Sequence, residues 1–262
     1  IDPSQAEYHF LHGLVAARNR QYDAAEASYR EAIRVREGEY AEAWYNLGIL
    51  HRETGALEEA MVAYDRALQL RSDYEAAWNN LGLVYFDLEA YEEAEIAFHS
   101  AIELRDDYAA AWSNLGRLYS TLDDYTPAAD AYERALELDP DNRIVRLRLA
   151  VAYRRTGRTA RSIAVYESLV RDEPRYVSAW YNLGIALAAS GRSDAARNAY
   201  LSALIVDPGH RSSLVNLGRL EARMGLVDEA MAHLTDALDR DQTDVSVRLE
   251  IAELSVARGD TE

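Results

Sequence analysis

Neither cysteine nor lysine occurs in this 262-residue chain. Without cysteine there are no disulfides and no thiolate metal sites; the compartment stays open, with the cytoplasm favoured over the periplasm. Without lysine, all 28 basic residues are arginine, which fits either a GC-rich genome or a salt-adapted host that also carries high acidic charge. No stretch of about 18 apolar residues is present, so no direct membrane insertion is expected. The usual catalytic words are missing too. There is no Gly-rich phosphate loop, no His-Glu-x-x-His and no Gly-x-Ser-x-Gly, so neither catalysis nor a cofactor is expected. A net charge of −17 argues against nonspecific nucleic-acid binding.

What is present is a 34-residue period. Trp44, Trp78 and Trp112 are equally spaced, and Trp180 falls on the same register two periods later. The surrounding words recur as Trp44-Tyr-Asn-Leu-Gly48, Trp78-Asn-Asn-Leu-Gly82, Trp112-Ser-Asn-Leu-Gly116 and Trp180-Tyr-Asn-Leu-Gly184. With Ala41 as position 1, position 20 reads Ala60, Ala94, Ala128 and Ala196, and position 24 reads Tyr64, Phe98, Tyr132 and Tyr200. Position 27 holds Ala67, Ala101, Ala135 and Ala203, and position 32 holds Pro140, Pro174 and Pro208.

Positions 4, 7, 8 and 11 form one face of a first helix, A, and positions 20, 24 and 27 a stripe on a second, B. Each unit is therefore a helical hairpin. Small residues at positions 8 and 20 let the two helices approach, while the tryptophan and the aromatic fill the space toward the neighbours. One hairpin cannot bury both faces, so stacking is required, and proline before each new unit stops the helix preceding it.

The pattern resembles tetratricopeptide repeats over nearly the whole chain. The resemblance implies an all-α protein, a right-handed α-solenoid of antiparallel helix-turn-helix repeats forming one continuous domain. Repeats are expected at 6–40 (with one extra residue), 41–74, 75–108, 109–142, 143–176, 177–210 and 211–244, followed by a partial repeat at 245–262. That last segment is expected to cap the array, with Arg248, Glu250, Glu253 and Arg258 facing solvent. Ile1-Asp2-Pro3 is similar to Leu138-Asp139-Pro140, the close of a unit, and no initiator Met is present, so a longer parent continuing upstream is expected. Looser packing is expected where Arg146 and Ser162 replace Trp and Ala, and where His9 and His12 occupy positions 4 and 7. These two histidines lie one turn apart but lack a third metal ligand. His51, in the tyrosine slot at position 11, is expected to contact its own repeat, and Glu58, Glu59, Glu92 and Glu93 to complement helix dipoles.

Binding must then use the side of helix A that the core leaves free, positions 2, 5, 6, 9, 12 and 13, which in a hairpin solenoid lines the concave groove. Position 6 is an asparagine ladder of Asn46, Asn80, Asn114, Asn182 and Asn216, interrupted by Arg148. A carboxamide both donates and accepts, so it can satisfy an extended backbone. The ladder resembles that of the O-linked N-acetylglucosamine transferase superhelix, where it grips substrate backbones; local solvation is the plain alternative. Between residues 109 and 244 these positions number 24, where a composition of 45 acids in 262 would place about four. There are none. Six arginines stand there instead: Arg117, Arg148, Arg154, Arg155, Arg219 and Arg223. Guanidinium forks suit carboxylates or phosphates. In the first half Tyr45, Asn79, Leu83 and Phe86, and in the second Tyr181, offer aromatic, amide and apolar contacts. Heat-shock cochaperones of this family hold a C-terminal carboxylate in a basic clamp, but Ile144 and Leu83 stand where its lysine and asparagine would be, so the resemblance stops short of a clamp.

The expected function is a non-enzymatic scaffold whose groove holds an extended, partly acidic peptide of another protein. The alternatives are the substrate-recognition arm of a larger enzyme such as a glycosyltransferase, and a homo-oligomer in which the terminal unit of one copy enters the groove of another.

Overall fold

A computed structural model of the chain describes residues 3–259. Ile1 and Asp2, expected to close a preceding unit, lie outside the described residues. The A helices are α1 (Pro3–Arg18), α3 (Ala41–Glu53), α5 (Glu75–Asp87), α7 (Ala109–Thr121), α9 (Arg143–Arg155), α11 (Val177–Ala189), α13 (Arg211–Arg223) and α15 (Val245–Arg258). The B helices are α2 (Tyr22–Val35), α4 (Leu57–Leu70), α6 (Tyr91–Leu104), α8 (Tyr125–Leu138), α10 (Thr159–Asp172), α12 (Ser193–Val206) and α14 (Val227–Arg240). No strand occurs among the described residues. The molecule is an all-α helical-repeat solenoid. It divides into two compact units, Ile1–Asp141 with α1–α8 and Asn142–Glu262 with α9–α15.

Within each hairpin the helices close on the position-8 glycine. A Cβ on Gly48 would lie 2.6 Å from the Tyr64 ring, on Gly82 2.7 Å from Phe98 and on Gly184 2.5 Å from Tyr200. Each ring, buried, fills the groove that the glycine opens, and burying it contributes about 1.5–3 kcal/mol. The tryptophans secure the joints between repeats. The indole N–H of Trp44, Trp78, Trp112 and Trp180 donates to the carbonyl six residues earlier, in Gly38, Ser72, Asp106 and Pro174, at 2.9–3.0 Å. A half-buried side chain at position 4 thereby fixes the linker that brings in its own helix. Helices α8, α10 and α12 end at Leu138, Asp172 and Val206, just before the prolines at position 32.

Position 15, the turn between A and B, sits in the left-handed region in every repeat. Gly55, Gly157, Gly191 and Gly225 have φ between 75° and 82°, and Arg20, Glu89 and Asp123 adopt φ near 60° in the other three.

The irregular repeats behave differently from one another. Arg146, replacing Trp, donates to Ser168 and to Asp172, each at 2.7 Å, and the Ser162 hydroxyl donates to the Ala150 carbonyl at 2.7 Å. With Ala rather than Gly at position 8, α9 and α10 are the least closely paired hairpin. The first repeat corrects the expectation of looseness. A Cβ on Gly13 would lie 2.6 Å from the Tyr29 ring, as at its counterparts, and His12 Nδ1 hydrogen-bonds the Ser28 hydroxyl at 2.8 Å.

The last helix also differs from expectation. Arg248, Glu253 and Arg258 are exposed, but Glu250 is half-buried against Arg219. Alongside them Val245, Leu249 and Val256 are exposed, so α15 covers the core with Val247 while leaving a second, apolar stripe uncovered. Tyr8, Leu11 and Val15 of α1 are likewise exposed.

Candidate functional site

Consecutive A helices of one unit touch each other, whereas consecutive B helices do not come that close among the described residues. The A side is therefore the inner side of each unit, and it carries the ladder.

The ladder asparagines are tied into the fold by a simple rule. Where position 5 of the preceding repeat offers an oxygen, the position-6 amide donates to it across 35 residues. Asn80 donates to the Tyr45 hydroxyl at 3.1 Å, Asn114 to Asn79 Oδ1 at 2.9 Å and Asn216 to the Tyr181 hydroxyl at 3.2 Å. Where that position holds Phe10 or Leu147, the amide turns back onto its own helix: Asn46 donates to the Glu42 carbonyl and Asn182 to the Ser178 carbonyl, both at 2.8 Å. Asn79 is buried and donates to Asn80 Oδ1 at 3.4 Å. A continuous polar chain, Tyr45–Asn80–Asn79–Asn114, thus crosses three repeats of the first unit. Burial pushes the Tyr45 hydroxyl up to about 12, so it stays a neutral partner at any physiological pH. Asn46, Asn80, Asn114, Asn182 and Asn216 are all half-buried, and Asn80 and Asn216 also meet the Tyr64 and Tyr200 phenols.

The arginines occupy distinct environments. Arg219 is bound by Glu250 at 2.6 Å, a pairing that raises the affinity of its guanidinium for protons. The Arg117 guanidinium lies over the Phe86 ring, 4.0 Å from its centroid. Arg154 is half-buried beside Tyr166, with its Nε and the Tyr166 hydroxyl both buried. Arg155 and Arg223 are exposed, and Arg148 is half-exposed. No carboxylate pairs with Arg148 or Arg223 among the described residues. In the second unit the A-helix face therefore presents guanidinium groups from α9 and α13, and Tyr181 of α11 stacks edge-on against His210 at 5.2 Å. In the first unit the face is aromatic and amide in character, with Tyr45 against Tyr74 at 4.7 Å.

Sequence patterns missed one buried ionic cluster. Glu221, at position 11 of its repeat, is fully buried and accepts from Arg197 Nε at 2.8 Å, with His233 Nδ1 2.6 Å from its second oxygen. An acid in a slot held elsewhere by Tyr85, Tyr119 and Tyr153 was the available signal. His51, in the same slot, reaches beyond its own repeat: it is buried between Glu26 and Arg30 of α2 and Glu59 of α4. Burial holds its pKa below the usual histidine range. No group of three or more potential metal ligands, at His9 and His12 or elsewhere, occurs among the described residues, and no helix there is long and apolar enough to cross a membrane.

Models of the tetratricopeptide repeat match residues 73–141 and residues 10–75, 113–174, 147–208 and 181–245. The chain is 33% identical over 70 residues to anaphase-promoting complex subunit 3 of Schizosaccharomyces pombe, a match covering 27% of this chain and a tenth of that relative. In structure it is similar to a tetratricopeptide repeat protein from Parabacteroides merdae, with TM-score 0.67, 18% identity and coverage of 97% of this chain and 99% of that one. It is also similar to the C-terminal part of a repeat-containing protein from Cytophaga hutchinsonii, with TM-score 0.77, 13% identity and coverage of 91% and 97%. The APC/C hetero-tetramer Cut9–Hcn1 aligns with TM-score 0.62 at 17% identity over 89% of this chain and 48% of that chain.

Proposed function

Because the chain belongs to the tetratricopeptide-repeat family, whose fold is typically a protein–protein interaction scaffold, we propose that it is a non-enzymatic scaffold holding an extended, partly acidic peptide on its A-helix face. The observation that carries this reading is the exclusion of acids from the 24 inner-face positions between residues 109 and 244, with arginine at six, in a chain of net charge −17. A surface of one sign inside a protein of the other steers oppositely charged segments to that face and repels the rest of the proteome's acidic surfaces less specifically elsewhere. Arg148 and Arg223 supply the charge, with the exposed Arg155 beside Arg148 on α9, and the carboxamides of the ladder supply sequence-independent backbone contacts.

The test is a fluorescence-anisotropy titration with an acidic peptide of about a dozen residues, across a series of salt concentrations. The reading expects salt-sensitive binding that weakens about tenfold or more in Arg148→Ser/Arg155→Ser/Arg223→Ser, while helicity is kept. Equal affinity in the triple variant would end it.

A second reading, self-association, is supported by the two uncovered apolar stripes, Tyr8-Leu11-Val15 and Val245-Leu249-Val256. A scattering mass that stays monomeric up to high concentration would remove it.

A further inference from the structure

One gap on the inner face of the second unit is filled by nothing in the repeat. An open cavity of about 450 Å3 lies between α13, α14 and α15, with Ala222, Leu254 and Ala257 as its apolar walls, fully buried Leu234 behind them, and the exposed Arg223 and Glu253 beside it. Three local features surround it. At position 24 every other repeat carries an aromatic ring (Tyr29, Tyr64, Phe98, Tyr132, Tyr166, Tyr200), whereas this one carries Leu234. At positions 12 and 13 of adjacent A helices, Arg52 and Asp87 close the corresponding gap in the first unit with an ion pair at 3.1 Å; here the equivalents are Ala222 and Ala257. At the ladder position stands Glu250, drawn aside by Arg219 at 2.6 Å. In other repeats the position-24 phenol reaches the next ladder asparagine, as Tyr64 reaches Asn80 and Tyr200 reaches Asn216.

We propose that this cavity is an anchor pocket for a tyrosine side chain of the bound peptide, standing next to the place where other repeats carry the tip of their own phenol. The proposal rests on the peptide-binding reading and names the residue that the peptide must present. The guest ring lies over Leu254, between Ala222 and Ala257, with the Arg223 guanidinium over its face and its hydroxyl donating to Glu253. Neither Arg223 nor Glu253 is ion-paired among the described residues, so both are available. The chain uses each of these contacts internally: Arg71 lies 3.3 Å from the Tyr74 ring centroid, and the Tyr119 hydroxyl donates to Glu95 at 2.6 Å. A desolvated aromatic anchor is also the type of group that dominates interface energetics.

The test titrates p-cresol, the tyrosine side chain alone, into the intact chain and follows amide and methyl resonances. Saturable shifts confined to Ala222, Leu254, Ala257 and their neighbours are expected at millimolar concentration, with toluene binding several-fold more weakly and Glu253→Ala abolishing that preference. Leu234→Tyr restores the repeat's own ring and is expected to weaken p-cresol about tenfold or more without lowering the melting temperature. Ala222→Leu, filling the cavity from α13, serves as a second variant if the first perturbs folding. Shifts that do not saturate, or that persist unchanged in both variants, overturn the pocket. Because p-cresol carries no charge or backbone, loss of the pocket with retained acidic-peptide binding overturns the anchor and leaves the scaffold reading standing, whereas p-cresol binding without acidic-peptide binding removes the scaffold reading and with it the peptide as the pocket's occupant.

Discussion

Nδ2 of Asn216 donates to the Tyr181 hydroxyl of the preceding repeat at 3.2 Å, so this rung of the asparagine ladder is a strut between repeats. Asn216→Ala and Tyr181→Phe are each expected to destabilise the chain by about 1 kcal/mol, with a coupling energy of similar size in a double-mutant cycle. Asn182→Ala, whose amide only turns back onto the Ser178 carbonyl, should show no coupling to Leu147. Urea unfolding of the four variants decides it: additive losses at 181 and 216 would mean that the strut carries no energy.

Glu89 occupies the left-handed turn position at φ 60°, where four other repeats have glycine. A side chain there costs about 1–2 kcal/mol, partly offset because glycine loses more chain entropy on folding. Glu89→Gly is therefore expected to stabilise by about 0.5–1 kcal/mol, read as a higher urea midpoint at unchanged slope.

The opposite sign is expected at Gly184. Alanine ordinarily favours a helix interior by about 1 kcal/mol over glycine, but here the new methyl would lie 2.5 Å from the buried Tyr200 ring. The ring cannot retreat, since it is closed in by both helices, so Gly184→Ala should destabilise by about 1–3 kcal/mol. The Ala150–Tyr166 hairpin shows the alternative solution, a more widely paired α9 and α10. A Gly184→Ala chain as stable as the parent would show that α11 and α12 can spread in the same way.

The Arg197–Glu221–His233 cluster should behave as a unit. Glu221→Leu alone strands Arg197 and His233 against a buried apolar group and is expected to cost about 3–5 kcal/mol. Replacing all three by leucine should recover most of the loss, because a satisfied buried polar cluster and a packed apolar one differ little in net stability. Chemical denaturation of the single and triple variants separates this from simple overpacking, which the triple variant would make worse.

Legibility in the sequence followed how local each constraint is. The Trp-x-x-Leu-Gly words set helix periodicity, turn placement and the glycine–ring contact within one repeat, and all of that shows in a linear reading. The ladder itself was visible at position 6, but its use was not, because each amide's choice depends on position 5 of the repeat before: Tyr45, Asn79 and Tyr181 attract the amide, whereas Phe10 and Leu147 do not. Glu221 needed partners from two different B helices, 24 residues before and 12 after it, a relation that no single-repeat pattern contains. The missing ring at Leu234 stood in plain view at position 24; that a cavity lies beside it follows only once Ala222 and Ala257 are seen among its walls.

His51 gives the fold a pH dependence whose sign is set by burial. Desolvation between α2 and α4 lowers its pKa from the ordinary 6.5, with Arg30 adding to the shift and Glu26 and Glu59 opposing it. A depressed histidine pKa means that the unfolded chain binds the proton first, so as pH falls below about 6.5 the unfolded state gains relative to the folded one. The penalty grows until the folded-state pKa is passed and is constant below it; above 6.5 it vanishes. In His51→Tyr, which restores the residue of Tyr85, Tyr119 and Tyr153, that component is gone while every carboxylate titration remains. The stability difference between the variant and the parent is therefore expected to be flat from pH 8 to 7 and to widen in the variant's favour from pH 6.5 to 5, measured by urea unfolding at each pH. Parallel curves over the whole range would show that His51 stays hydrated enough to protonate freely in the folded repeat.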